Sequence, residues 1–163
     1  MVAGYAVRAE NQDVDLGVDA PGVVQAFGAE PELRSLIENL VDNALRYAPS
    51  GSPVTVAVRQ AEGMVELRVL DAGRGVPASE RERVFERFHR VAGDATRGTG
   101  LGLAIVKAIV ERHQGSISLS DADPGATLPG LAVAIRLPAW RGHARPAEPL
   151  PAERVGSARS GLS

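Results

Sequence analysis

Residues 30–58 read EPELRSLIENLVDNALRYAPSGSPVTVAV, and within them the spacing of apolar residues changes period. Leu33, Leu36, Ile37, Leu40, Val41, Ala44 and Leu45 recur at intervals of three and four, the stripe of an amphipathic helix. Glu30-Pro31-Glu32 opens that helix, because a first turn has no use for the N–H that proline lacks. Pro49-Ser50-Gly51 closes it. Val54, Val56 and Val58 then alternate with smaller or polar residues, the period of a half-buried strand. Gln60–Gly63 reads as a turn and Met64–Leu70 as the returning strand of a hairpin.

Working outward, Val14, Leu16 and Val18 alternate as a short strand, with Val23–Phe27 as its expected partner across Ala20-Pro21-Gly22. Downstream, Ser79 is placed to cap a helix over Glu80–Phe88. Residues 87–100 carry few apolar side chains and several glycines, so they read as a loop. Leu101–His113 is helical in pattern, with Gly115 just beyond its end, and Ser116–Ser120 and Leu131–Leu137 are the last strands. About six strands interspersed with about three helices predict an α/β (α+β) two-layer sandwich, a mixed β-sheet packed against helices.

Composition narrows the chemistry. The chain has 163 residues, no cysteine and a formal charge of −2. Disulfide frameworks, thiolate nucleophiles and cysteine-ligated metal are therefore excluded. The near-neutral balance speaks against a nucleic-acid partner. No apolar run reaches the roughly 18 residues of a membrane span, and the first residues lack the pattern of a signal peptide. Residues 140–163 hold four arginines and two glutamates among Pro, Gly, Ser and Ala, and read as a flexible tail. The expected organisation is a linker segment over 1–13, a folded domain over 14–139 and the tail over 140–163.

Within the domain, Asn39 and Asn43 stand one helical turn apart and share a face with Arg46 and Tyr47 nearby. Such amides are either exposed surface groups or neutral oxygen ligands for a hard cation whose charge is balanced by a phosphate. Asp71-Ala72-Gly73-Arg74-Gly75-Val76-Pro77 is either an ordinary strand-ending turn or a carboxylate placed to accept from an exocyclic amine beside a glycine backbone. Gly98-Thr99-Gly100-Leu101-Gly102-Leu103 opens a helix, where backbone N–H groups favour an anion. It matches neither a dinucleotide fingerprint nor a P-loop. Phe85 and Phe88 are expected to pin the start of the loop to the core.

In order, NLVDNALRY (39–47), DAGRG (71–75), FERF (85–88) and GTGLGL (98–103) resemble the N, G1, F and G2 boxes of the sensor histidine kinase catalytic domain. That family belongs to the gyrase, heat-shock chaperone, histidine kinase and mismatch-repair ATPase (GHKL) superfamily, whose ATP-binding sandwich is the Bergerat fold. The resemblance spans roughly 14–138 and implies a set of roles. Asn43 is implied as the principal Mg²⁺ ligand, with Asn39 beside it and Arg46 facing phosphate, a catalytic trio. Tyr47 lies against the nucleoside. Asp71 accepts from adenine N6, and Gly73, Gly75 and Val76 shape the adenine pocket. Residues 87–100 form an ATP lid with Phe88 at its base, from which Arg90 or Arg97 reaches the γ-phosphate. Gly98, Thr99, Gly100, Leu101, Gly102 and Leu103 let the lid fold and offer N–H groups to the phosphates.

ATP-hydrolysing relatives place a glutamate one turn before the metal asparagine; here that residue is Asn39, which cannot take a proton. The resemblance therefore implies a phosphotransferase using ATP and Mg²⁺ over two alternatives, an ATP-hydrolysing module or a degenerate nucleotide-sensing domain. The family's phosphoacceptor histidine sits on a separate dimerisation domain, and the sequence contexts of His89, His113 and His143 do not match it. The implied partners are that domain and a response regulator. The expected setting is a monomeric cytoplasmic piece of a homodimeric membrane sensor.

Overall fold

In the computed structural model, residues 3–91 and 99–140 are described. Arg97, Gly98, His143 and the expected tail, apart from Trp140, lie outside them. The described chain runs α1 (Ala3–Asn11), β1 (Asp15–Asp19), α2 (Glu30–Tyr47), β2 (Pro53–Ala61), β3 (Met64–Leu70), α3 (Gly102–Arg112), β4 (Ser116–Asp121) and β5 (Leu131–Pro138), with short 3₁₀ turns at Ala78–Glu80 and Arg83–Phe85.

The strands form one sheet in the order β1-β2-β3-β5-β4. β1 pairs parallel to β2, with α2 as the crossover, and the other pairs are antiparallel. The mixed sheet is as expected. Register stacks Val56, Val69, Val133 and Leu119 in one row and Val58, Leu67, Ile135 and Ile117 in another. Both rows face the helices, because side chains two apart in a strand share a side. Against them pack Leu36, Leu40, Val41, Ala44 and Leu45 of α2 and Val106, Ile109 and Val110 of α3, all buried. The other sheet face carries Arg68, Arg136 and Ser118, which are exposed.

Two local expectations are corrected. Val23–Phe27 is not the partner strand of β1: Ala26 makes only an isolated bridge to Ala139, and Val23 is exposed. The parallel edge of β2 takes β1 instead, since the Val-rich hairpin offers a longer ladder. Glu80–Phe88 is not one helix; it breaks into the two 3₁₀ turns, with no side-chain cap on either. Within the expected linker segment, residues 3–11 form a helix whose Ala9 is buried and whose Arg8 pairs with Asp42 of α2.

The start of α2 has no side-chain cap of its own. Its Ala29 N–H donates instead to Nε2 of His113 at 3.1 Å, while Nδ1–H of that ring donates to Ile109 O at 2.8 Å. One imidazole thus joins the first turn of α2 to the last turn of α3. Gly115 is needed for closeness: a Cβ there would stand 2.5 Å from Arg136 O. The left-handed residue after α3 is Gln114.

Candidate functional site

Between the C-terminal half of α2, the end of β3 and the start of α3 lies a cavity of about 910 Å³, counting the space at its open mouth. Asn43, Arg46, Tyr47, Asp71, Gly75, Val76, Arg90, Gly100, Gly102 and Leu103 all line it. Four separate stretches of sequence are therefore brought to one hollow.

At one end sits Asp71, the buried polar residue of the described chain. Its Oδ1 accepts from Gly73 N–H at 2.8 Å and from Leu131 N–H at 3.3 Å. Burial raises its pKa above the ordinary carboxylate value, and the two backbone hydrogen bonds oppose that shift. The backbone around it is packed too tightly for side chains. A Cβ on Gly73 would stand 2.5 Å from Tyr47 O, and one on Gly130 would stand 2.0 Å from Asp71 O. Gly73 therefore supports Asp71 from behind and does not line the cavity.

At the other end the amides of α2 meet α3. Asn39 spends its Nδ2 on Ser35 O at 2.8 Å, which leaves Oδ1 for another partner. A Cβ on Gly102 would lie 3.4 Å from Asn39 Oδ1 and 3.5 Å from both Oδ1 and Nδ2 of Asn43. The two side-chain amides thus meet beside a glycine at the N-terminus of α3; Asn43 lines the cavity and Asn39 does not. Hard oxygen donors and room beside a helix N-terminus fit a Mg²⁺ that arrives with phosphate oxygens. Among the described residues no cluster of three or more His, Asp or Glu side chains could hold a metal unaided.

The stretch before the undescribed segment is held in place by backbone geometry. Phe88 N–H donates to Gly100 O at 3.0 Å, and both residues have φ in the left-handed region, +63° and +67°. His89 is half-buried and shares a 2.8 Å hydrogen bond with Glu80, which steadies the backbone from which Arg90 and Val91 reach the cavity. Phe85 packs beneath Lys107 of α3, its ring 5.4 Å from Nζ. Phe88 does not pin anything: its side chain is 73% exposed and off the cavity, because a left-handed residue turns its Cβ outward here. Thr99 and Leu101 also flank the cavity without lining it.

The sequence reading passed over several wall residues. Arg74 lines the cavity, its guanidinium carbon 6.0 Å from the centre of the Tyr47 ring. Its place between Gly73 and Gly75 was the available signal. Leu131 and Val133 also form wall, and nothing local marks them; they arrive through the pairing of β5 with β3.

Comparison with known proteins gives consistent similarities. The family model described as histidine kinase-, DNA gyrase B-, and HSP90-like ATPase matches residues 28–141. The sensor-like histidine kinase SenX3 of Mycolicibacterium smegmatis is 44% identical over 121 residues, 72% of this chain and 32% of that protein. The signal transduction histidine-protein kinase/phosphatase MprB of the same organism is 40% identical over 156 residues, 92% of this chain and 32% of that protein. The chain thus spans about a third of the length of these relatives. Among solved structures, a mycobacterial sensor histidine kinase MprB superposes with a TM-score of 0.75 at 38% identity, covering 84% of this chain and 89% of that one. Full-length ShkA in complex with AMPPNP shares the fold, with a TM-score of 0.72 at 24% identity, over 85% of this chain and 28% of that one.

Proposed function

The chain belongs to the histidine kinase-, DNA gyrase B- and HSP90-like ATPase family, with the sensor histidine kinase catalytic domains, and from that footing we propose that it binds Mg-ATP in the cavity and donates the γ-phosphoryl to a histidine on a separate dimerisation domain. The observation that carries this reading is one hollow with the buried carboxylate of Asp71 at one end and the Asn43 amide beside the N-terminus of α3 at the other.

Asp71 accepts a hydrogen bond from adenine N6, with Gly75 and Val76 beside the base. Tyr47 lies against the nucleoside. Asn43 and Asn39 would hold the magnesium, which when bound would offset phosphate charge. Arg46 and Arg90 supply fixed positive charge toward the phosphates, and N–H groups at the start of α3 add theirs. An imidazole nitrogen attacks the γ-phosphorus; an N–P bond forms as the bond to the ADP oxygen breaks. The protein's part is positioning and charge stabilisation.

Water is a poor competitor in this arrangement. Among the described residues that line the cavity, Asp71 is the only carboxylate, and it sits at the base end. No general base stands where Asn39 and Asn43 do. Nor do the described histidines serve as acceptors: His89 is tied to Glu80, and His113 is wedged between α2 and α3. In the full protein, a homodimeric membrane sensor on this reading, residues 1–13 lead in from the dimerisation domain, and a response regulator takes the phosphoryl group onward.

The test combines the chain, γ-labelled ATP and the parent's dimerisation domain. Acid-labile, base-stable label on that domain, lost with Asn43→Ala, is the expected result. Label that persists undiminished in Asn43→Ala, or rapid release of free phosphate instead, overturns the reading.

A further inference from the structure

Arg74 is the one residue between two glycines that are each pressed onto neighbouring backbone. On one side, a Cβ at Gly73 would stand 2.5 Å from Tyr47 O at the end of α2. On the other, Gly75 has φ +68°, and a Cβ there would stand 2.7 Å from Gly130 O ahead of β5. The backbone of residue 74 is thus fixed at both ends against the two walls of the cavity. From that anchored position its side chain crosses to the Tyr47 ring, 6.0 Å from guanidinium carbon to ring centre. Both residues line the same cavity as Asp71, only three positions earlier in the chain.

We propose that Arg74 is a base-contacting residue of the nucleotide site, its planar guanidinium covering the outer face of the adenine ring that Asp71 holds by its edge. This rests on the reading that the cavity takes an adenine nucleotide. The charge of Arg74 is at the base end by position, while Arg46 and Arg90 come from α2 and from the stretch after Phe88. A guanidinium stacks on aromatic planes and is more weakly hydrated than an ammonium, so it suits a π face. The two glycines supply the preorganisation: a side chain hung from a fixed backbone loses less freedom on binding.

Two ligands separate a base contact from a phosphate contact. Adenosine and Mg-ATP are titrated, by NMR shift and calorimetry, into the wild-type chain and into Asp71→Asn, Arg74→Ala and Arg74→Lys. Arg74→Ala should weaken both ligands by the same factor, roughly three- to twentyfold for loss of a cation–π contact. Arg74→Lys should restore little, since an ammonium does not stack as a plane. Loss confined to ATP, unchanged affinity for both ligands, or full rescue by lysine overturns the proposal. If wild type binds neither ligand, or binds them without regard to Asp71, the underlying reading falls with it. If both bind through Asp71 and Arg74→Ala is silent, only the inference falls. Unaltered thermal unfolding of the Arg74 variants, whose side chain is exposed, separates binding loss from misfolding.

Discussion

Gly73 donates its backbone N–H to Oδ1 of Asp71 at 2.8 Å, so the turn that follows β3 holds one oxygen of a buried carboxylate. Leu131 N–H shares the same oxygen. An asparagine could keep both of these bonds through its own Oδ1, yet it would carry no charge and would present an NH₂ group in place of the second oxygen.

The first prediction is therefore that Asp71→Asn separates stability from binding. Burial raises the folded pKa of Asp71 above its unfolded value, so its ionisation opposes folding. The group costs nothing while protonated in both states, below the unfolded value near 3.8. The cost grows as pH rises through the higher folded value. Asp71→Asn should match wild type in thermal midpoint at pH 3.5 and exceed it at pH 7.5. Its ATP affinity should fall about 10- to 100-fold, the worth of a hydrogen bond to a charged group. A midpoint gap that does not widen with pH would contradict the burial argument.

Gly102→Ala tests the cradle between the helices. The new Cβ fits at ordinary contact distance from Asn39 and Asn43, so the fold tolerates it. Helix propensity in the first turn of α3 favours alanine by up to about 1 kcal/mol. The expected pattern is an unchanged or higher midpoint with the Mg²⁺ enhancement of ATP binding cut at least several-fold. Calorimetry with Mg²⁺ against EDTA reads it out, and full enhancement in the variant would remove the metal assignment.

Gly100→Val places a β-branched side chain at φ +67°, with its Cβ 3.0 Å from the Phe88 backbone and from His89 O. Strain of about 1–3 kcal/mol is expected at such a position. It should open the Phe88–Gly100 hydrogen bond and displace Arg90, while the sheet and α2 stay intact. Circular dichroism should be native and ATP affinity at least tenfold weaker; wild-type affinity would refute it.

His113→Ala removes the acceptor for Ala29 N–H and the ring packed against Gly28. An unsatisfied N–H costs about 1–3 kcal/mol, so denaturant unfolding should show a loss of that order. His113 is not on the cavity, and ATP affinity under folding conditions should equal wild type. Selective loss of binding without loss of stability would show that this contact is not the structural joint described.

Two kinds of information met in this protein. The periodicity of residues 33–45, 54–58 and 64–70 fixed the long helix, the hairpin and their buried faces, because side-chain spacing reports burial directly. The resemblance carried by the asparagine and glycine strings and by the loop between them marked ten of the residues that the fold brings around the cavity, because those strings occur in a recognisable order. Spacing says which face is buried but never against what. Only the tertiary structure decided that β1 pairs with β2 and not with Val23–Phe27, that Phe88 points outward, and that His113 caps α2 from α3. It alone brought Leu131, 60 residues along the chain, to the carboxylate of Asp71, and laid Arg74 over Tyr47. Those contacts depend on strand pairing and backbone closeness between distant segments, which no local pattern of residue types encodes.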